Sequence, residues 1–354
     1  MNLLKIISGI DGIDKDFIDQ AKGRTNQLVM PPRALGELHT IGERLCGIGR
    51  TLAPSVNKKA FLVMAGDHGI AASGVSAYPQ VVTGEMVKTF LRGGAGINVL
   101  SRQLGARVVV MDVGIIPDIP PQTSEGGRLI VTKIAKGTHD FSEGPAMTRD
   151  QAESAILKGY GAAKELFEEG TELLGTGDMG IGNTSPSSAI GAVITGTPVE
   201  RMTGRGTGVD DIGFQSKCET IKKGTELNDP NADDPLDVLS KVGGFEIGAI
   251  AGAILAAAFF KKPVVIDGFI SGAGALIAHG LCPMVTDYLF AGHQSAEPGH
   301  KVMLDHLGLI PILTLGMRLG EGTGGALAMH IIEAAARIIQ EVSTFEEAGV
   351  SDKT

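Results

Sequence analysis

Tryptophan is absent from this chain of 354 residues, only 3 Tyr and 12 Phe are present, and aromatic residues make up 4%. With a formal net charge of −9 and no run of Lys or Arg interleaved with aromatics, the chain lacks the basic stripe and stacking platforms of a nucleic-acid surface. Cysteine is equally scarce. Cys46, Cys218 and Cys282 are widely spaced and odd in number, which excludes a disulfide framework and a Cys-x-x-Cys knuckle. They read as reduced packing residues of a cytoplasmic protein. The longest apolar run, 247–260, falls short of the roughly 20 residues of a bilayer span. It is interrupted by glycine and bounded by Glu246 and Lys261, so a buried helix is expected. The first residues hold too short an apolar stretch for a signal peptide. None of the 8 His falls in a His-x-x-x-His or His-Glu-x-x-His pattern, and neither a metal nor a cofactor is expected.

Glycine is what the chain has in quantity, 51 residues, and it punctuates short apolar runs. Segments 61–67, 107–114, 172–178, 263–268, 285–292 and 311–316 are β-branched or apolar and end in Gly or Asp, as buried parallel strands do. Helical patterns lie between them, at about 83–104, 148–169, 184–195, 208–227, 244–260, 270–280 and 322–342. Such alternation predicts an α/β fold with a doubly wound, mainly parallel, Rossmann-like sheet across residues 51–325. Residues 1–50 carry two helical patterns, 13–21 and 34–46, and no strand, which predicts a small helical domain. Segments 116–127 and 228–235, rich in Pro or in Asp, Asn and Pro, read as loops.

The run Leu315-Gly-Met-Arg-Leu-Gly-Glu-Gly-Thr-Gly-Gly places Glu321 among glycines, after a strand-like segment and before a long helical pattern. In open α/β sheets ligands bind outside the carboxyl ends of strands, so Glu321 is a candidate catalytic base and Leu319 and Gly320 are candidate contacts. A solvated Glu at a helix N-terminus is the plainer alternative. Gly175-Thr-Gly-Asp-Met-Gly formally matches the dinucleotide fingerprint, yet Glu200, the acid at the required spacing, comes after a poor central strand. The neighbouring run Gly182-Asn-Thr-Ser instead opens a helix with small donors suited to a phosphate or ribose. That makes Gly177, Asp178, Gly180, Gly182, Asn183 and Thr184 candidate contacts. A second cradle, Gly204-Arg-Gly-Thr-Gly, contributes Gly206, Thr207 and Gly208; Lys217 lies about two turns on and by itself reads more readily as a solvated helix lysine. Arg205 is a weaker candidate. Tyr78-Pro-Gln80 offers a flat wall and a hydrogen bond to an aromatic base. Ser295 stands at a strand end within reach of a phosphate.

Those runs, with Gly292-His-Gln-Ser-Ala-Glu-Pro-Gly-His, Asp267-Gly-Phe-Ile-Ser-Gly and Gly243-Gly-Phe-Glu-Ile-Gly-Ala, occur in one order over nearly the whole chain. In this the chain resembles the nicotinate-nucleotide:dimethylbenzimidazole phosphoribosyltransferases of cobalamin nucleotide-loop assembly. The resemblance implies transfer of phosphoribose from nicotinate mononucleotide to a benzimidazole, with Glu321 as base, the Tyr78–Gln80 loop in the acceptor pocket and Lys217 at the substrate. It also implies a homodimer, and a small domain completed by about 325–354. Two departures stand out: Asp178 where the family carries Glu before Met-Gly-Ile-Gly-Asn-Thr, and Met30-Pro-Pro-Arg for the usual Lys-Pro-Pro-Gly. The strand ends at Asp112 and Asp267 each carry a single acid, unlike the paired acids that hold magnesium on a pyrophosphate donor. Nicotinate mononucleotide needs none, because its pyridinium leaves as a neutral pyridine. Two other readings compete: a dinucleotide-dependent oxidoreductase resting on Gly175, Gly177 and Gly180, which would carry bound NAD, and a catalytically dead nucleotide-binding regulator.

Overall fold

The structure is a computed structural model that describes residues 2–206 and 208–351. Eight strands form one sheet: β1 (Lys59–Gly66), β2 (Arg107–Gly114), β3 (Gln122–Ser124), β4 (Gly127–Val131), β5 (Leu173–Met179), β6 (Val264–Ile266), β7 (Leu289–His293) and β8 (Pro311–Leu313), in the order β3-β4-β2-β1-β5-β6-β7-β8. All neighbours pair parallel except β3 and β4. Every residue of β1 is buried, which is why that strand reads as an unbroken apolar run. The chain moves outward from β1 through β2 and β4 in one direction, then returns to β5 on the other side of β1. A crevice opens at this reversal, at the carboxyl ends of β1 and β5.

Helices cover both faces. On one face lies the Phe245–Phe259 helix, buried along almost its whole length and packed on the Arg149–Glu168 helix. Small residues make this possible. A Cβ at Gly252 would stand 1.9 Å from the Ile156 carbonyl oxygen, and one at Gly159 would stand 2.0 Å from that of Ala249. Among the described residues no helix is long and apolar enough to cross a membrane. On the other face the Thr323–Glu341 helix packs on β7 and on the Gly96–Leu104 helix. The N-terminal Lys15–Gln27 and Glu37–Gly49 helices in turn lie against it.

Several local expectations change. The single helix expected at 83–104 is two, Val82–Arg92 and Gly96–Leu104, because Gly93 adopts φ 77° and closes the first. Segment 285–292 is a strand only from Leu289, since Pro283–Tyr288 winds into a 3-10 turn. The loop expected at 116–127 contains β3, a short, fully exposed antiparallel edge whose polar residues carry no strand signal. The helices Leu3–Ile7 and Pro298–Leu307 were not expected. The N-terminal helix expected at 13–21 runs Lys15–Gln27, with Asp14 as its N-cap, and the one expected at 34–46 starts at Glu37, after a turn.

Because the clash at Gly252 is with backbone, Gly252→Ala is expected to destabilise the fold by about 3 kcal/mol, the upper end of overpacking penalties. A urea midpoint equal to that of the wild type would show that the two helices part freely.

Candidate active site

A cavity of about 520 Å³ fills the crevice, a size suited to small-molecule substrates. Its lining comes from the segments that follow five strands. Tyr78, Val82 and Met86 follow β1; Asp178 to Ile181, Asn183 and Thr184 end β5 and open the Thr184–Thr195 helix; Gly268 to Ile270 follow β6. His293, Ser295 and Glu297 follow β7, and Arg318 to Glu321 follow β8.

Glu321 sits in this lining with a backbone few side chains accept, φ 64°, between Gly320 at 86° and Gly322 at 98°. A left-handed conformation costs a non-glycine residue about 1–2 kcal/mol, and two contacts hold it. First, the buried carboxylate of Asp267 accepts the amides of Gly322 (3.1 Å), Gly324 (2.7 Å) and Gly325 (3.0 Å). These are orphan N–H groups of the Thr323–Glu341 helix, satisfied by a side chain from β6's end. Second, Glu321 Oε2 accepts the Ile97 amide at 3.1 Å, at the N-terminus of the Gly96–Leu104 helix. The Gly96 amide adds to it. Burial pushes the Glu321 carboxyl up, the Ile97 and Gly96 amides oppose this, and the nearby Asp267 reinforces it. A raised carboxyl is a stronger base once ionised.

Asp178, beside Gly320, is buried; loss of solvation raises it to about 8, with Asp267, Glu246 and Glu321 adding repulsion and the Asn183 amide opposing. Asn183 Nδ2 donates to its Oδ2 at 2.9 Å. On the opposite side of the cavity Glu297 Oε1 accepts the Gly206 amide at 3.1 Å, and burial raises this carboxyl too. His300 Nδ1 accepts the Ser295 amide at 2.9 Å, which fixes its proton on Nε2, and burial holds the imidazole down to about 3. Arg318 is the one Lys or Arg in the lining among the described residues, and it donates to the Gly206 carbonyl at 2.8 Å.

The phosphoribosyltransferase family profile matches residues 10–350. The chain is 52% identical over 349 residues to a nicotinate-nucleotide–dimethylbenzimidazole phosphoribosyltransferase from Desulforudis audaxviator (strain MP104C), covering 99% of this chain and 98% of that one. To the protein of the same name from Geobacter sulfurreducens (strain ATCC 51573 / DSM 12127 / PCA) it is 51% identical over 350 residues, with coverage of 99% and 98%. The chain belongs to the nicotinate-nucleotide–dimethylbenzimidazole phosphoribosyltransferase family. A crystal structure of such an enzyme from Thermus thermophilus superposes with a TM-score of 0.90 at 43% identity, covering 96% of this chain and 100% of that chain.

Of the residues expected from sequence, the cavity brings together Tyr78, Asp178, Gly180, Asn183, Thr184, Gly206, Ser295, Leu319, Gly320 and Glu321. It does not include Gln80, Gly177, Gly182, Gly208 or Lys217, and Thr207 lies outside the described residues. Gly177 is inside β5, not at a phosphate turn, and serves Glu321: a Cβ there would stand 2.3 Å from the Glu321 carbonyl oxygen. Gln80 turns away and donates to the His68 carbonyl at 3.0 Å. Lys217 is 1% exposed. Its ammonium donates to Thr184 Oγ1 at 2.7 Å and the Gly204 carbonyl at 3.3 Å, so it fastens two lining segments from behind. Burial lowers it to about 8, against the opposing charge of Glu297. Arg205 pairs with Asp211 on the surface. The sequence reading missed Val82, Met86, Phe269, Ile270, His293, Glu297 and Arg318. Arg318 and Glu297 stood inside the motifs already singled out, and charge within a glycine-rich strand end was the available signal.

Asp178 gives a pH test. Its folded value of about 8 lies above its ordinary 3.8, so between those values the folded chain holds a proton that the unfolded chain has released. Stability from this group is complete at low pH and is lost as pH rises towards 8, by up to about 1.4 kcal/mol per pH unit. Asp178→Asn should therefore flatten the decline in unfolding free energy between pH 5 and 8. Parallel curves for wild type and variant would mean that Asp178 is ionised throughout.

Proposed function

We propose that this chain transfers the phosphoribosyl group of nicotinate mononucleotide to 5,6-dimethylbenzimidazole or a related base. The products are α-ribazole 5′-phosphate and nicotinate, for the lower ligand of cobalamin. The observation that carries the reading at residue level is the buried, doubly anchored Glu321 carboxylate facing a cavity of substrate size. The full-length likeness to enzymes of that name supports it.

In this reading one ring nitrogen of the base attacks C1′ with its lone pair. The C1′–nitrogen bond to nicotinate breaks, and its electrons neutralise the pyridinium. Attack opposite a β-linked leaving group yields the α-riboside. The other ring nitrogen of the base would then carry a proton on a cationic ring, and Glu321 takes that proton, so no net charge builds up on the acceptor. The amides of Ile97 and Gly96 keep the carboxylate aimed before the proton arrives. Tyr78, Val82 and Met86 supply a largely apolar wall for a flat heterocycle. The donor phosphate lies by Thr184, Gly206 and Ser295 with Arg318 as its counter-charge, because Lys217, assigned that role from sequence, is committed to Thr184 and Gly204. Asp178 faces the ribose or the leaving nicotinate, with a shorter arm than the Glu usual in the family.

The protein is taken to be cytoplasmic and homodimeric, with residues 1–50 and 325–354 as a small helical domain beside the large α/β domain of 51–325. The packing of the Glu37–Gly49 helix on the Thr323–Glu341 helix supports that division.

Incubation with nicotinate mononucleotide and a panel of bases, with products read by mass, tests the reaction: formation of no riboside phosphate from any base would end it. Glu321→Gln should lower kcat by roughly 10²-fold, the usual worth of a positioned base, while nucleotide binding persists; wild-type turnover in this variant would remove Glu321 from the chemistry. Arg318→Ala should raise KM for the mononucleotide about tenfold, in line with the loss of one charge-assisted contact, and should leave that for the dephosphorylated riboside nearly unchanged. Equal losses for the two donors would detach Arg318 from the phosphate.

A further inference from the structure

Behind the cavity, the turn that follows β1 carries a buried charged group that the chemistry above does not use. Asp67 and His68 are each 1% exposed, Glu246 is fully buried, and none of the three lines the cavity. Glu246 stands in the first turn of the Phe245–Phe259 helix and meets His68 Nε2 at 2.7 Å. Three glycines are required by this pair. A Cβ at Gly66 would lie 2.8 Å from Glu246 Oε2, one at Gly244 2.4 Å from His68 Cε1, and one at Gly180 2.3 Å from the Gly66 carbonyl oxygen and 3.2 Å from His68 Nε2. Gly180 is cavity lining, so the pair presses directly on the back of the floor.

The turn also reaches the walls, through His68 and Asp67. The His68 carbonyl accepts Gln80 Nε2 at 3.0 Å, which holds the loop that carries Tyr78. Asp67 Oδ2 accepts the Ile116 amide at 2.8 Å, and the Thr83 hydroxyl faces the same carboxyl. Thr83 Oγ1 in turn accepts the amide of Ile181 at 3.1 Å. Thr83 sits on the helix that presents Val82 and Met86 to the cavity, while Ile181 belongs to the facing turn. One hydroxyl therefore joins the two sides. Asp67 Oδ1, His68 Nδ1 and Glu246 Oε2 are buried without a hydrogen-bond partner among the described residues. Such groups are poor choices for stability alone.

We propose that Asp67, His68, Glu246 and Thr83 are positioning residues that fix the width of the cavity between the Tyr78–Met86 wall and the Gly180–Ile181 turn, and so set which substituted base is accepted. The assignment rests on the reaction given under Proposed function. It acts through Gln80, Gly180 and Ile181, not through contact with substrate. A wall held at fixed spacing discriminates bases that differ by ring methyl groups, whereas a wall freed to move loses that discrimination.

The test compares kcat/KM for 5,6-dimethylbenzimidazole and for unsubstituted benzimidazole, with nicotinate mononucleotide as donor. Thr83→Val keeps the shape and removes the hydroxyl; it is expected to change the ratio of the two values by about tenfold, with donor KM within about twofold. Thr83→Ser restores the hydroxyl and should keep the wild-type ratio. Glu246→Gln, where it folds, should shift the ratio in the same direction as Thr83→Val. Both bases losing activity in equal proportion in Thr83→Val, or an unchanged ratio, would overturn the proposal, since a purely structural role predicts those outcomes. Wild-type turnover in the same series separates the two levels. Consumption of neither base removes the reaction and this proposal together, whereas consumption of both with an unmoved ratio removes only the positioning role.

Discussion

Three glycine amides converge on one buried carboxylate, and the site depends on that convergence. Asp267, at the end of β6, ties down Gly322, Gly324 and Gly325, so the first turn of the Thr323–Glu341 helix is fixed to the sheet. With the helix fixed, the residue before it has little freedom: Glu321 is held at positive φ, and its side chain is directed to the amide of Ile97. Space for this comes from β5, where any residue larger than Gly177 would meet the Glu321 backbone. A strained conformation persists only where its surroundings over-determine it, and here a strand, two helix N-termini and a bare glycine do so.

The electrostatics follow from the same crowding. Asp178, Glu297, Glu321 and Asp267 collect at adjacent strand ends, and burial raises all four carboxyls. What opposes this differs from group to group: the Ile97 and Gly96 amides at Glu321, the Asn183 side chain at Asp178, Lys217 and the Gly206 amide at Glu297, and His293 with three glycine amides at Asp267. The two cations near the site differ in kind. Lys217 is enclosed and spent on Thr184 and Gly204, while Arg318 stands at the cavity with its guanidinium on a single backbone carbonyl.

Much of this was legible in the chain because the signals were local. Buried parallel strands read as apolar runs closed by Gly or Asp, and Glu321 stood out because it lies among glycines between a strand end and a helix, where ligands bind in open α/β sheets. Gly206 and Thr184, singled out as parts of glycine-rich helix openings, also line the cavity. Gln80, Gly177 and Lys217 were each drawn to the substrate by their motif, and none of the three lines the cavity; each contacts a neighbouring segment. Nothing in a linear motif distinguishes a glycine that clears room for a ligand from one that clears room for another loop. The helix at Pro298–Leu307 and the edge strand β3 were missed since one begins inside a glycine- and proline-containing motif read for its side chains and the other has no apolar alternation.

The sequence alone determined the class of fold, the end of the sheet where the cavity opens and the carboxylate that lines it among glycines, because each follows from residue type and spacing along one segment. Which side chains face the cavity was decided only by tertiary structure. Asp267 and Glu321 are 54 positions apart in the chain, Thr83 and Ile181 are 98, and His68 and Glu246 are 178. Contacts over such separations depend on strand order and helix packing, which place loops side by side without leaving a trace in either loop's own sequence.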